Sequence, residues 1–156
     1  MKRPDVAHIL RAARSLTNEF VLVGGQAAHV SIADLPPVME QSGELDIYPL
    51  HRRELAEVID GAIGEGSPFH AAFGYYAQGV GPETAKLPRG WRDRALRMSE
   101  PMTEGATGIA PEINDTCASK LVAMRGKDFE NEEVRRRAAA WVAAQSGDPS
   151  RERETR

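Results

Sequence analysis

Apolar positions change their rhythm several times along the chain, and each change marks an element. Between residues 4 and 16, Val6, Ile9, Leu10, Ala13 and Leu16 recur at helical spacing and predict an opening amphipathic helix. Phe20 to Val23 is a short unbroken apolar run that stops at Gly24-Gly25, the pattern of a strand buried on both faces. Gln26 to Ser31 reads as a second helix packed behind that turn, and Pro36-Pro37 break the chain into a loop. Over residues 44–50 the period becomes two. Leu45, Ile47 and Pro49 fall on one side and Glu44, Asp46 and Tyr48 on the other, which predicts a strand with a polar face, ended by Pro49. Helical spacing returns in His51 to Ile63 through Leu55, Val58, Ile59 and Ala62, closed by Gly61, Gly64 and Gly66.

The middle of the chain, from Glu65 to Gly90, is rich in glycine and proline, with strands expected at 73–80, 94–99 and 108–113. From Asn114 the helical pattern resumes with Leu121, Val122 and Met124, and later Val134, Ala138, Trp141 and Val142; Gly126 divides it into two helices. The last ten residues, 147–156, are polar and read as a frayed tail. The expected architecture is a single α/β (α+β) domain over residues 1–146: a mixed β-sheet flanked by α-helices, with helices at its C-terminal end.

Composition narrows the class. The chain has 156 residues, 41% hydrophobic and 28% charged, as in a globular domain rather than a disordered one. No apolar run approaches the roughly 20 residues that span a bilayer, so no membrane partner is expected. The first residues, MKRPDVAHILRAARS, lack the apolar stretch of a signal peptide. A lone cysteine, Cys117, excludes an intrachain disulfide and reads as a small buried hydrophobe. A reducing, cytoplasmic setting is the expectation. The net charge of −3 argues against a strongly basic nucleic-acid binder. Residues 86–97 nevertheless carry five basic groups against one acid. Within them Lys86, Arg89, Trp91, Arg92 and Arg94 form a candidate acceptor patch, where cations grip a backbone and an aromatic stacks a base; the alternative is a solvated loop. Arg135 to Arg137 read as a solvated helix face, and His8, His29, His51 and His70 show no metal-ligand spacing.

The candidate chemistry lies in Gly24-Gly25 and Glu44-x-Asp46. Two carboxylates separated by one strand residue project from the same face and repel, which a divalent cation with oxygen ligands relieves. A glycine pair between a strand and a helix lets backbone N–H groups approach a phosphate that a Cβ would obstruct. Either motif alone also occurs as a tight turn or a solvated sheet face. In the order strand, Gly-Gly, helix, loop, acidic strand they make a phosphate cradle and a metal seat. Ser42 is placed to cap or orient the acidic strand, and Tyr75 and Tyr76 read as sheet packing.

On these residues the chain resembles the nucleotidyltransferase-fold superfamily, whose signature is a hydrophobic-Gly-Gly/Ser turn followed by an acid-x-acid strand. More closely it is similar to AbiEii-like proteins and to a bacterial nucleotidyltransferase-like family of unknown function. The matching stretches are VLVGGQAA (21–28), SGELDIYP (42–49), IGEGSPFHAAFGYYAQGV (63–80), LPRGW (87–91) and PEINDTCASKLVAMRGKD (111–128), covering about residues 8 to 130. The resemblance implies Mg²⁺ (or Mn²⁺) at Glu44 and Asp46, an NTP as donor of NMP, and nucleotide contacts from Gly24, Gly25, Gln26 and Lys120. Lys120 and Asp128 match the helix lysine and later aspartate of AbiEii-like toxins, the lysine offsetting triphosphate charge and the aspartate activating the acceptor hydroxyl. The implied acceptor is RNA, especially tRNA, in a toxin–antitoxin or phage-defence setting with a cognate antitoxin or toxin as protein partner. The first acid is Glu44 rather than Asp, Gln26 stands where a small hydroxyl residue is common, and the third acid has two candidates, Glu112 and Asp115, the latter also a candidate helix N-cap. These departures leave a second reading: a non-catalytic nucleotidyltransferase-fold binding module or antitoxin-like regulatory subunit.

Overall fold

A computed structural model describes residues 1–32 and 34–123 of the chain. Asp128, the helix break at Gly126, the Arg135–Arg137 run and the end of the domain therefore lie outside the described residues. The framework is a five-stranded mixed sheet in the order β3-β2-β1-β5-β4. Its strands are β1 (Glu19–Val23), β2 (Glu44–Pro49), β3 (Tyr76–Gly79), β4 (Leu96–Met98) and β5 (Thr107–Ala110). β1 pairs antiparallel with β2 and parallel with β5, while β2 pairs parallel with β3 and β4 antiparallel with β5. The helices are α1 (Arg3–Ala13), α2 (Ala28–Ser31), α3 (Ala56–Ile63), α4 (Pro68–Phe73), α5 (Trp91–Arg94) and α6 (Ile113–Ala123). No helix among the described residues is long and apolar enough to cross a membrane. The mixed α/β architecture expected from the sequence is the one found.

The unbroken apolar run of β1 follows from its central place, because successive side chains serve two layers. Phe20 and Leu22 enter the main core with Leu45 and Ile47 of β2, Val6, Ile9 and Leu10 of α1, and Ile59 and Ile63 of α3. Val21 and Val23 point the other way and join Tyr48 in a smaller core, covered by Leu50, Val80, Ala85, Leu87 and Trp91. The polar face of β2 is thus shorter than its alternation suggests. Glu44 and Asp46 are half-buried, but Tyr48, on their side of the strand, is only 2% exposed. α1 lies close on the sheet at Gly108, where a Cβ would come within 2.9 Å of both Leu10 and Leu22.

Several expectations are corrected. The segment 73–80 divides: α4 takes its beginning and β3 its end. The start signal of α4 is local, since Pro68 occupies its first turn and the Ser67 hydroxyl accepts the His70 N–H at 3.1 Å. The second helix is a single turn, Ala28–Ser31, preceded by a turn through Gly25–Ala27. Cys117 is exposed rather than buried, because the inward face of α6 is taken by Thr116, Ala118 and Ser119.

The two layers predict unequal sensitivity to truncation. Ile47→Ala, which hollows the fully buried main core, is expected to cost about 2–5 kcal/mol in urea unfolding. Leu50→Ala, at the half-buried margin of the smaller core, is expected to cost less than half as much.

Candidate functional site

The register of β1 and β2 brings the two sequence motifs together. Val23 pairs with Asp46, so the chain leaves β1 into Gly24 directly beside the Asp46 carboxylate. Gly24 has a φ of +72°, and a Cβ there would stand 2.5 Å from Asp46 Oδ2. Glycine is thus required twice, by the left-handed backbone and by the approach of the acid. Among the described residues the Gly25 N–H has no backbone acceptor. Lys120 reaches over the turn from α6, its Nζ 3.6 Å from where a Cβ on Gly25 would lie.

Gly25, Gln26, Met39, Ser42, Glu44, Asp46 and Lys120 line one open cleft with a free volume of about 340 Å³. This falls within the roughly 300–1,000 Å³ usual for ligand clefts. Two carboxylates share it without a fixed counter-charge between them. Burial first, then the nearby charge of Glu44, push Asp46 up to about 6, against the opposing pull of Lys120.

The residues of the cleft are held by neighbours, of which Tyr76 is one the sequence reading treated as packing. Tyr76 lies opposite Glu44 in the parallel β2–β3 pairing and donates its hydroxyl to Glu44 Oε2 at 2.8 Å. That bond is the main cause that pushes the phenol up to about 12. Ser42 Oγ accepts the Glu44 N–H at 3.2 Å, the orienting role expected of it. Gln26 is 6% exposed, with its amide engaged: Nε2 donates to Met39 O at 2.7 Å, and Oε1 lies 3.0 Å from His29 Nε2. It ties the glycine turn to the opposite wall and lines the cleft through that role.

The remaining candidates fall elsewhere. Glu112 accepts from the Asn114 backbone N–H at 3.1 Å and side chain at 3.0 Å, and it does not line the cleft. Asp115 is buried and takes a two-pronged bond from Arg94, Nε to Oδ2 at 3.1 Å and Nη2 to Oδ1 at 2.9 Å. It is neither a helix cap nor a cleft acid. Among the described residues no set of three or more His, Cys, Asp or Glu side chains gathers around one point, so Glu112 does not complete a metal centre with Glu44 and Asp46. In the basic segment, Trp91 packs half-buried on the smaller core and Arg92 lies over its ring at 5.6 Å. Lys86 and Arg89 are exposed on the same strap, whereas Arg94 is committed to Asp115.

Compared with protein-family models, curated protein sequences and solved structures, the chain matches none.

Two measurements test this geometry. Gly24→Ala places a side chain at positive φ against Asp46 and is expected to cost about 1–2 kcal/mol in chemical denaturation. The second is a pH profile. Native Asp46 keeps its proton until about pH 6, whereas the unfolded chain releases it near 3.8. Native protein therefore holds the extra proton in that window, and wild-type stability falls as pH rises through it. Asp46→Asn removes this loss, so it should match wild type near pH 4. At pH 7.5, without divalent cations, it should be more stable by about 1–2 kcal/mol, the full linkage being discounted for an open cleft.

Proposed function

We propose that the chain is a Mg²⁺-dependent nucleotidyltransferase-like protein that transfers NMP from an NTP to an acceptor hydroxyl, the hydroxyl oxygen bonding to the α-phosphorus as pyrophosphate leaves. One observation carries the reading: Glu44 and Asp46 crowd together beside Gly24 while Lys120 stands over Gly25 in the same cleft. Mg²⁺, or Mn²⁺ in its place, fits this donor set. Such ions are held by one or two carboxylates together with substrate phosphates, and do not need an all-protein cage. Bound there, the ion would neutralise phosphate charge and polarise the phosphorus–oxygen bonds.

The chain's own residues have separable roles in this reading. Glu44 and Asp46 bind as a carboxylate pair, with Tyr76 and Ser42 holding Glu44 in orientation from side chain and backbone. The Gly25 N–H receives a phosphate oxygen. Lys120 offsets the remaining triphosphate charge at short range, in a cleft partly screened from water. The acceptor's proton falls by resemblance to Asp128, and RNA, especially tRNA, is the acceptor class the same resemblance implies, with a toxin–antitoxin or phage-defence role. Lys86, Arg89, Trp91 and Arg92 are the proposed acceptor contacts. A second reading, a nucleotide-binding module or antitoxin-like subunit without turnover, is favoured by the lack of a third carboxylate at the pair among the described residues.

Incubation with each radiolabelled NTP, Mg²⁺ and total RNA tests the proposal. Label is expected to pass to RNA with wild type and to be lost with Asp46→Ala or on chelation. Equal transfer by Asp46→Ala overturns the enzymatic reading. Metal-dependent nucleotide binding without transfer supports the binding module instead.

A further inference from the structure

One imidazole stands behind the cleft. His29, the second residue of α2, is 1% exposed and has no part in the chemistry proposed above. Its neighbours fix where its hydrogen sits. Nε2 lies 3.0 Å from Gln26 Oε1 and 3.2 Å from Met1 O. Met1 O is a carbonyl and can only accept, so Nε2 carries the hydrogen. Gln26 gives the same answer by a separate route. Its Nε2 donates to Met39 O at 2.7 Å, which turns its Oε1 toward the ring. The ring is therefore the Nε2–H tautomer, and its bare Nδ1 is buried with no hydrogen-bond partner among the described residues. Burial, the largest influence, holds its pKa below the ordinary imidazole value, so the ring is neutral at pH 7.

The two acceptors of this one N–H both hold the cleft wall. Gln26 grips Met39 O, while the Met1 nitrogen donates to Ser42 O at 2.9 Å and to Glu40 O. Met39 and Ser42 line the cleft, and Ser42 Oγ accepts the Glu44 N–H. From behind, Arg3 donates to the His29 carbonyl and pairs with Glu100, which anchors the backbone of this hub. The fork also locks the Gln26 amide. Reversed, it would set two donors face to face at His29 and two oxygens face to face at Met39. A leucine would fill similar space without burying an unpaired nitrogen. What the imidazole adds is the forked N–H.

We infer that His29 is a positioning residue that sets the width of the cleft by directing Gln26 and Met1 onto the wall at residues 39–42. It touches no substrate. Gln26 follows Gly25 directly, so the same fork fixes the wall's distance from the glycine turn. This geometry stands apart from the nucleotide reading, on which only the affinity effect below rests.

The wild-type ring gives the first test. In ¹⁵N-labelled protein at pH 7, His29 should show the neutral Nε2–H tautomer; the Nδ1–H form or a charged ring overturns the inference. Hydrogen exchange without ligand gives the second. In His29→Leu the amides of residues 39–42 should exchange about tenfold faster, the scale of one buried hydrogen bond lost, while those of β5 stay unchanged. His29→Gln, which keeps an N–H at similar reach, should restore most of the protection. Unchanged exchange in folded His29→Leu, or an equal loss in both variants, overturns the inference. Should His29→Leu not fold, Gln26→Leu cuts one arm of the fork and should speed the same amides, and no change there overturns it as well. Calorimetry with the four NTPs in Mg²⁺ gives the third. His29→Leu should weaken the tightest binder about tenfold, and adding Gln26→Leu should weaken it no further, because both cut one path. Additive losses overturn the relay. If wild type binds no triphosphate, the nucleotide reading falls, and tautomer and exchange still decide the positioning role.

Discussion

The pairing of β1 with β2 is the constraint on which the candidate site depends. Their antiparallel register sets Val23 opposite Asp46, so the turn leaving β1 must pass the acid at close range. A slip of one residue would send Glu44 and Asp46 into the helix-covered core and turn Leu45 and Ile47 toward the cleft. Burial of those two aliphatic side chains between α1 and α3 resists that slip. The hydrophobic core on one face thereby fixes the charge geometry on the other.

Much of this was legible in the sequence, for physical reasons that differ by element. The run Phe20–Val23 and the alternation from Glu44 announce strands because a central strand serves two apolar layers and a marginal stretch serves one. Gly24 was legible because its left-handed backbone and the nearness of Asp46 exclude a side chain, and the two acids because alternation along a strand sets them on one face. The α4 start at Ser67-Pro68 was obscured by the density of glycine and proline around it, although it carries an ordinary capping signal. Tyr76 was read as packing because nothing in the sequence reveals which residue of β3 falls opposite Glu44; that pairing is a property of the sheet.

Asp115 shows how composition can mislead about role. An acid at the start of a helix, near a conspicuous lysine, invites a reading as cap or ligand. Its environment selects a third use: a buried carboxylate held by a guanidinium fork through two hydrogen bonds. Glu112, three residues earlier, is drawn to Asn114 instead. Both acids stabilise the beginning of α6, and the carboxylate pair stands apart from them.

The grip of Arg94 on Asp115 has a mechanical consequence. α6 is held at its first turn, while Lys120, its side chain over the glycine turn, lies more than a full turn farther along the same rod. The anchor therefore sets where the lysine stands over the cleft, and a tilt about it would carry that charge across the carboxylate pair.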